Sequence, residues 1–369
     1  MNKKLIRIIS NPKVFVFTNI WLMVLVFIGT IEQKDIGLFA AQNKYFSSTL
    51  IWFYGIPLPG GLLTMLVLSL NLFSFFLKPN IWNKKKLGVL IVHIGALILL
   101  IGSGITSFFS KEGNMIIIED DQSDYMHSFY YKEFTILNLD EYVDSIEVIN
   151  FKEDLLKNNN ILEYKSLPFK IEIISYFLNS KIESRTNNSL TPLRGDAIKF
   201  ELKEKLPEKE MNENISGVTY KIISNNKMIN GVYIYQLEQK MPEIITINGM
   251  DYAILIRPER TYLPFEIKLT DFKKVMHPGT KIAKSFSSDV FLVDNENSRR
   301  TLIEMNAPLR HRGYTLYQAS YAELQDGREA TVLAVVQNYG RLFPYISSII
   351  MCIGVLLQMI IRMPGLLKK

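Results

Sequence analysis

The chain has 369 residues, 48% hydrophobic, with 42 Lys and Arg against 36 Asp and Glu and a formal net charge of +6. A single cysteine, Cys352, excludes a disulfide framework, a C-x-x-C redox pair and a cysteine-rich metal site. No basic stripe interleaved with aromatics is present, so the positive balance does not point to nucleic acid.

Four uncharged apolar runs carry the hydrophobicity: Val14–Ile31, Gly61–Leu77, Leu87–Phe109 and Leu342–Ile361. Each is near the roughly 17–25 residues that a membrane-spanning helix requires. The first is longer than a usual signal core, and Gly29-Thr30-Ile31-Glu32 offers no small-residue cleavage site, so it reads as an uncleaved anchor. Met1–Lys13, Lys78–Lys86 and Arg362–Lys369 together hold eleven basic residues and no acid. The positive-inside rule therefore places both termini in the cytoplasm and the bulk of the chain outside.

The first outer link, Glu32–Pro59, contains an aromatic segment, Ala40–Tyr54, that reads as a short helix lying in the membrane interface. Tyr45, Trp52 and Tyr54 are of the types that favour headgroup depth. Ile56-Pro57-Leu58-Pro59-Gly60-Gly61 then breaks the helix and returns the chain to the membrane.

The third apolar run contains one ionisable residue, His93, about 9 Å up the helix from Leu87. A histidine at that depth is costly. It either hydrogen-bonds a neighbouring helix or serves as a metal or haem ligand or proton relay. Gly88, Gly95 and Gly102 recur every seven residues and predict a bare stripe for close helix packing. His93 shares the opposite face with Ala96, Leu97, Leu100 and Gly104, a surface smooth enough for a flat apolar ligand.

After Phe109 the pattern changes to short alternating runs. Met115–Glu119, Phe134–Asn138, Ile146–Phe151, Phe169–Phe177, Ile198–Lys203, Val218–Ser224 and Gly231–Gln236 read as strands. So do Tyr252–Arg257, Phe265–Phe272, Asp289–Asp294, Thr301–Asn306, Tyr314–Ser320 and Thr331–Gln337. Asn179–Asp196 and Glu204–Gly217 read as mobile loops. The echo between Leu167-Pro168-Phe169-Lys170-Ile171 and Leu263-Pro264-Phe265-Glu266-Ile267 suggests two related β halves. The fold class is thus a membrane protein of α + β type, with four transmembrane helices and a large, all-β, sandwich-like extracytoplasmic domain between the third and fourth. The boundaries are 1–109 for the three-helix region with its interfacial segment 40–54, 110–338 for the β domain, and 339–369 for the closing helix and tail.

These residues resemble the ResB (also called CcsB) family of the system II cytochrome c maturation machinery. The likeness is carried by the third helix with its histidine and by Leu263–Phe272 followed by Ser285–Asp294. It is most specific in Asn306-Ala307-Pro308-Leu309-Arg310-His311-Arg312-Gly313-Tyr314-Thr315-Leu316-Tyr317-Gln318, which matches an N-x-P-L…G-x-x-x-Y-Q pattern. Asn338-Tyr339-Gly340-Arg341-Leu342-Phe343-Pro344-Tyr345 also fits, with Tyr339 standing where a proline is expected. The resemblance implies a non-catalytic subunit that works with a CcsA-type partner. Together they move haem b across the plasma membrane and present it to apocytochrome c. It also implies that His93 is an axial ligand to the haem iron, shared with a histidine of the partner. The tryptophan-rich W-W-D motif belongs to that partner, since Trp21, Trp52 and Trp82 are scattered here. The external His127, His277 and His311 lack metal-ligand spacing and read as surface residues. The block from Asn306 to Gln318 reads as fixing strand pairing. The alternative to this family reading is a structural or sensory membrane protein whose external β domain binds a ligand or partner. A weaker one, an exporter subunit, needs a separate ATP-hydrolysing chain, since no P-loop is present.

Overall fold

The computed structural model describes residues 8–366 except 79–80, 140–145, 187–190, 238, 240, 281–282 and 325. The chain is α + β, and its internal contacts divide it into two compact units. One holds residues 1–111, 311–314 and 336–369; the other holds 112–310 and 315–335.

The first unit is helical. Its helices are α1 (Pro12–Ile36), α2 (Leu38–Tyr45), α3 (Gly61–Phe75), α4 (Leu87–Phe109) and α5 (Phe343–Leu366). Asn11 caps α1 through its side chain, and Pro12 supplies a first-turn residue with no N–H to satisfy. Among the described residues three helices are long and apolar enough to cross a bilayer: α1, α4 and α5. The fourth, α3, has only 15 residues. That is about 22 Å of rise against a hydrocarbon core of about 30 Å.

The segment expected as one interfacial helix over Ala40–Tyr54 is instead a helix followed by a hairpin. Helix α2 stops at Tyr45, and strands β1 (Leu50–Phe53) and β2 (Ile56–Pro59) pair antiparallel. Tyr54 and Gly55 both take positive φ, 48° and 81°, which is the two-residue turn that matches strand twist. The excursion returns to where it began. A Cβ on Gly61 would lie 2.6 Å from Phe46 Cα, so α3 starts directly against the end of α2. Trp21, within α1, donates from Nε1 to the Pro59 carbonyl at 2.8 Å. At the other end of α3, Asn71 bonds the Ile9 and Asn11 carbonyls, and Lys78 bonds Ser10.

The glycine stripe of α4 packs as its spacing predicts. Cβ atoms at Gly88, Gly95 and Gly102 would fall within 2.2–2.6 Å of Gln358, Met351 and Phe343, all on antiparallel α5. From the other side, Gly354 presses on Val92 and Gly340 on Thr106. Side chains close both ends of this seam. Gln358 accepts from Val89 N at 3.1 Å and donates to Lys85 O at 3.1 Å, thereby capping α4 from a helix 269 residues away. Asn338 accepts from Thr106 at 3.0 Å and from Gly340 N at 2.8 Å.

The second unit is built of strands and 3-10 turns among its described residues. The remaining strands, in chain order, are β3 (Lys111–Ile118), β4 (Gln122–Asn138), β5 (Glu147–Lys152), β6 (Ile161–Leu162), β7 (Phe169–Phe177), β8 (Ser180–Ser184), β9 (Phe200–Glu204), β10 (Gly217–Ser224), β11 (Gly231–Gln236), β12 (Glu243–Ile247), β13 (Met250–Met276), β14 (Ala283–Asp294), β15 (Asn297–Glu304), β16 (Leu309–His311), β17 (Tyr314–Glu323) and β18 (Glu329–Gln337). A four-stranded sheet runs β11-β10-β7-β6. A ten-stranded sheet runs β15-β14-β13-β4-β3-β18-β17-β16, with β12 on β13 and β5 on β4. Phe134, Ile136, Ile149 and Ile254 of the large sheet bury against Ile171, Ile173, Tyr220 and Ile222 of the small one. Alternate residues supply that core, as a sheet with one dry face requires.

Three sequence expectations change here. The runs Tyr252–Arg257 and Phe265–Phe272 are one strand, β13, with irregularities between Pro258 and Arg260 and between Tyr262 and Ile267. Proline removes a ladder donor and produces a bulge rather than an end. Residues Gln122–Glu133, which carry Asp124, His127 and Lys132, extend β4 well before Phe134. The stretch Asn179–Asp196 contains strand β8, paired with β9. The two halves of the L-P-F echo fall in different sheets, on β7 and β13.

The block from Asn306 to Gln318 is structural in its contacts. Gln318 Oε1 accepts from Ser288, and its Nε2 donates to Thr331 Oγ1 at 2.9 Å; the Thr331 hydroxyl in turn donates to Ser288 Oγ at 2.8 Å. All three are buried. The large sheet therefore curls until β14 meets β17 and β18, and these polar side chains satisfy one another across the closure.

Candidate functional site

His93 projects from α4 as a half-buried ring. Its Nδ1 lies 2.8 Å from the Val89 carbonyl of its own helix. A carbonyl can only accept, so Nδ1 carries a proton, and in the neutral ring Nε2 then keeps its lone pair. The ring stacks on Phe75 of α3, with centroids 3.9 Å apart and planes 14° from parallel. Both contacts fix the imidazole plane. A ring N–H held by a backbone carbonyl with the other nitrogen free is the usual arrangement of a metal-binding histidine.

The imidazole opens into a pocket of about 470 Å³ between α4 and α5. That volume is in the range of small-molecule sites. Val89, Val92, Val355, Met359 and Met363 make its walls, with Gln358 and Arg362 as the polar groups besides His93. Among the described residues no acidic side chain is in the lining. The position of the cavity differs from the sequence reading. The face Ala96-Leu97-Leu100-Gly104 does not line it, and a Cβ on Gly104 meets nothing within 4 Å. The pocket lies one turn toward the start of α4 because α5 supplies its second wall there. Sequence reasoning missed Met359, Arg362 and Met363; their spacing on α5 was visible, but not the antiparallel register that brings them to His93.

The three other histidines are not gathered at this site. His277 is exposed in a turn, its carbonyl accepting from Thr280 N. His311 is half-buried beside Arg312. His127 departs from the surface expectation. It sits on β4 opposite Arg260 of β13, edge-on to Tyr125 at 5.2 Å, with Nδ1 buried and unpartnered. Burial first, and then the Arg260 and Arg257 charges, push its pKa down to about 4, against a weaker opposing pull from the Pro258 carbonyl. Between the ordinary value of about 6.5 and about 4, the unfolded chain takes up a proton that the native imidazole refuses. Stability contributed at this site is thus held at neutral pH and falls as the pH drops through that window. His127→Gln should flatten this acid loss. The thermal midpoint of the variant should fall less than that of the wild type from pH 7 to pH 4.5, and equal slopes would sink the assignment. Among the described residues no group of three or more His, Cys, Asp or Glu is arranged to hold a metal ion.

Comparison with known proteins matches these same segments. The ResB-like family profile covers residues 83–167 and 228–328, which include all of α4 with His93 and the strands from β13 to β17. Protein NrfI of Wolinella succinogenes is 22% identical over 339 residues, covering 89% of this chain and 32% of that protein. The chain therefore spans about a third of the length of that relative. The profile matches half of the chain, in both the helical and the β units, and the chain belongs to the ResB-like family.

Proposed function

We propose that this chain is a membrane subunit of system II cytochrome c maturation that holds haem in transit through His93. The observation that carries the reading is the free Nε2 of an oriented imidazole facing an apolar pocket with no acid in it. Membership in the ResB-like family supports a role in cytochrome c biogenesis. Haem is the cargo, and the residues present suit it. Neutral imidazole is a good ligand for haem iron, and valine and methionine walls accept a flat apolar body.

The reading includes four crossings, both termini in the cytoplasm and the β unit outside, as the acid-free basic segments imply. In it the second crossing is broken, made of α2 and then α3, whose combined 23 residues give the length of a span. His93 is then nearer the inner face than the outer, at the depth of entry. A CcsA-type membrane partner carries the W-W-D segment and the second iron ligand, and apocytochrome c is the acceptor. The covalent step belongs to the partner, and this chain is not itself an enzyme. Non-catalytic scaffolding through a simple interhelical hydrogen bond fits less well, since His93 bonds its own helix.

The test is a reduced-minus-oxidised visible spectrum of the protein purified with its CcsA-type partner, for wild type and His93→Ala. The expected result is a b-type haem signal that the substitution abolishes, with loss of cytochrome c maturation. A signal unchanged by His93→Ala would move the haem wholly to the partner. No signal from either protein would favour the structural or sensory alternative.

A further inference from the structure

The His93 pocket is chemically one-sided. Its walls are apolar from Val92 and Val355 to Met359, and among the described lining residues the one formal charge is Arg362. Gln358, the other polar group, is committed to Val89 N and Lys85 O. Arg362 makes no hydrogen bond or ion pair with any described residue, and it is exposed. An arginine kept on the wall of an apolar cavity with no acid beside it presents an unused planar set of donors, suited to a carboxylate.

Its place along the bundle is set by the seam. Gly88 packs against Gln358 and Gly95 against Met351, so α4 and α5 run antiparallel with a known register. Arg362 is one turn past Gln358, while His93 is between the levels of Gly88 and Gly95. The two backbone positions are roughly 15 Å apart along the helices. His93 and Arg362 both line the one cavity, which therefore has an imidazole toward one end and a guanidinium toward the other. The short 3-10 turn Lys84–Lys86, which carries three lysines, lies at the same end as Arg362 through the Lys85–Gln358 bond. The field at that end is therefore positive throughout.

We infer that Arg362 anchors the carboxylates of the pocket's ligand and so fixes its direction, with the acidic edge toward the Lys84–Lys86 end and the metal toward His93. This rests on the haem reading of the pocket and adds to it an orientation and a second recognition element. The ligand class is a flat, metal-bearing apolar macrocycle with carboxylates on one edge. Arg362 touches no reacting atom; it selects and aligns.

The experiment compares two probes, haemin and its dimethyl ester, titrated into the full-length protein in detergent. Wild type, Arg362→Gln, Arg362→Lys and His93→Ala are measured by the Soret band. Wild type should bind haemin about ten- to a hundredfold more tightly than the ester, the range expected for charge-assisted bonds to a guanidinium. Arg362→Gln should bind haemin as weakly as the ester, leave ester binding unchanged, and keep the histidine-ligated spectrum. Arg362→Lys should restore part of the preference, since an ammonium offers charge without the planar fork. Equal affinity of wild type for acid and ester, with a spectrum that still depends on His93, would overturn the anchor and leave the proposed function standing. A preference that survives in Arg362→Gln would do the same. A spectrum independent of His93, or no binding by wild type, would remove both.

Discussion

Gly88→Leu should separate α4 from α5 and cost about 3 kcal/mol or more, at or beyond the upper end for overpacking. The reason is where the new side chain begins. Its Cβ would lie 2.5 Å from Gln358 N and from Gly354 O, which are backbone atoms and cannot rotate away. The helices must move apart, and the move strips the cap that Gln358 places on Val89 N. It also shifts Val355 and Met359 relative to Val89 and Val92, so the pocket loses its second wall. Gly104→Leu is the matched control. It is on the same helix, yet a Cβ there meets nothing within 4 Å, and helix propensity alone predicts a small gain over glycine. The measurement is thermal unfolding of the full-length protein in detergent, followed by haemin titration. The expected result is a lower midpoint and lost haemin binding for Gly88→Leu, with both properties retained in Gly104→Leu. Comparable midpoints for the two variants would show that the seam does not hold the bundle.

Local pattern and long-range register differ in how far a sequence exposes them. The heptad of Gly88, Gly95 and Gly102 is a local signal, and it packs against a helix as such a stripe must. A strand with one dry face, such as Phe169–Phe177, also declares itself, because apolar side chains recur with the period of the pleat, whereas Gly231–Gln236, buried at every position, shows as a short continuous apolar run. The first half of β4 does not, since Asp124, His127 and Lys132 interrupt its alternation and find burial only through partners on distant strands. The turn at Tyr54-Gly55 is hidden for another reason. Aromatic residues suit an interfacial helix and a hairpin equally, and the deciding feature is a positive φ at Tyr54, a residue type that seldom adopts it. At the candidate site, His93 stands out because it is ionisable inside an apolar run. Phe75 and Arg362 do not, because the stack and the pocket each need another helix brought to α4 in a particular register.

Glu133→Ala should be the most damaging substitution in the β unit, costing about 3–5 kcal/mol. Glu133 on β4 faces Arg257 on β13 in direct register, and Arg257 Nε donates to Glu133 Oε1 at 2.7 Å. The side chains are only 5% and 10% exposed. Arg257 has one other acceptor among the described contacts, Asn150 Oδ1 at 3.3 Å, which is shared with Thr135. Removing the carboxylate strands a guanidinium where water cannot replace the lost partner, and arginine does not shed its proton to escape. The double change Glu133→Leu with Arg257→Met removes both charges at once and should recover most of the loss, because an apolar pair of similar volume avoids the desolvation cost altogether. The check is hydrogen exchange of the β4 and β13 amides in the full-length protein, which isolates this unit from the helical one. Protection should fall sharply in Glu133→Ala and return in the double variant. If Glu133→Ala costs under about 1 kcal/mol, the pair is as solvated as an exposed salt bridge. If the double variant is as weak as the single, the residues matter as a hydrogen-bonded unit with Asn150, and the stranded charge is not the cause.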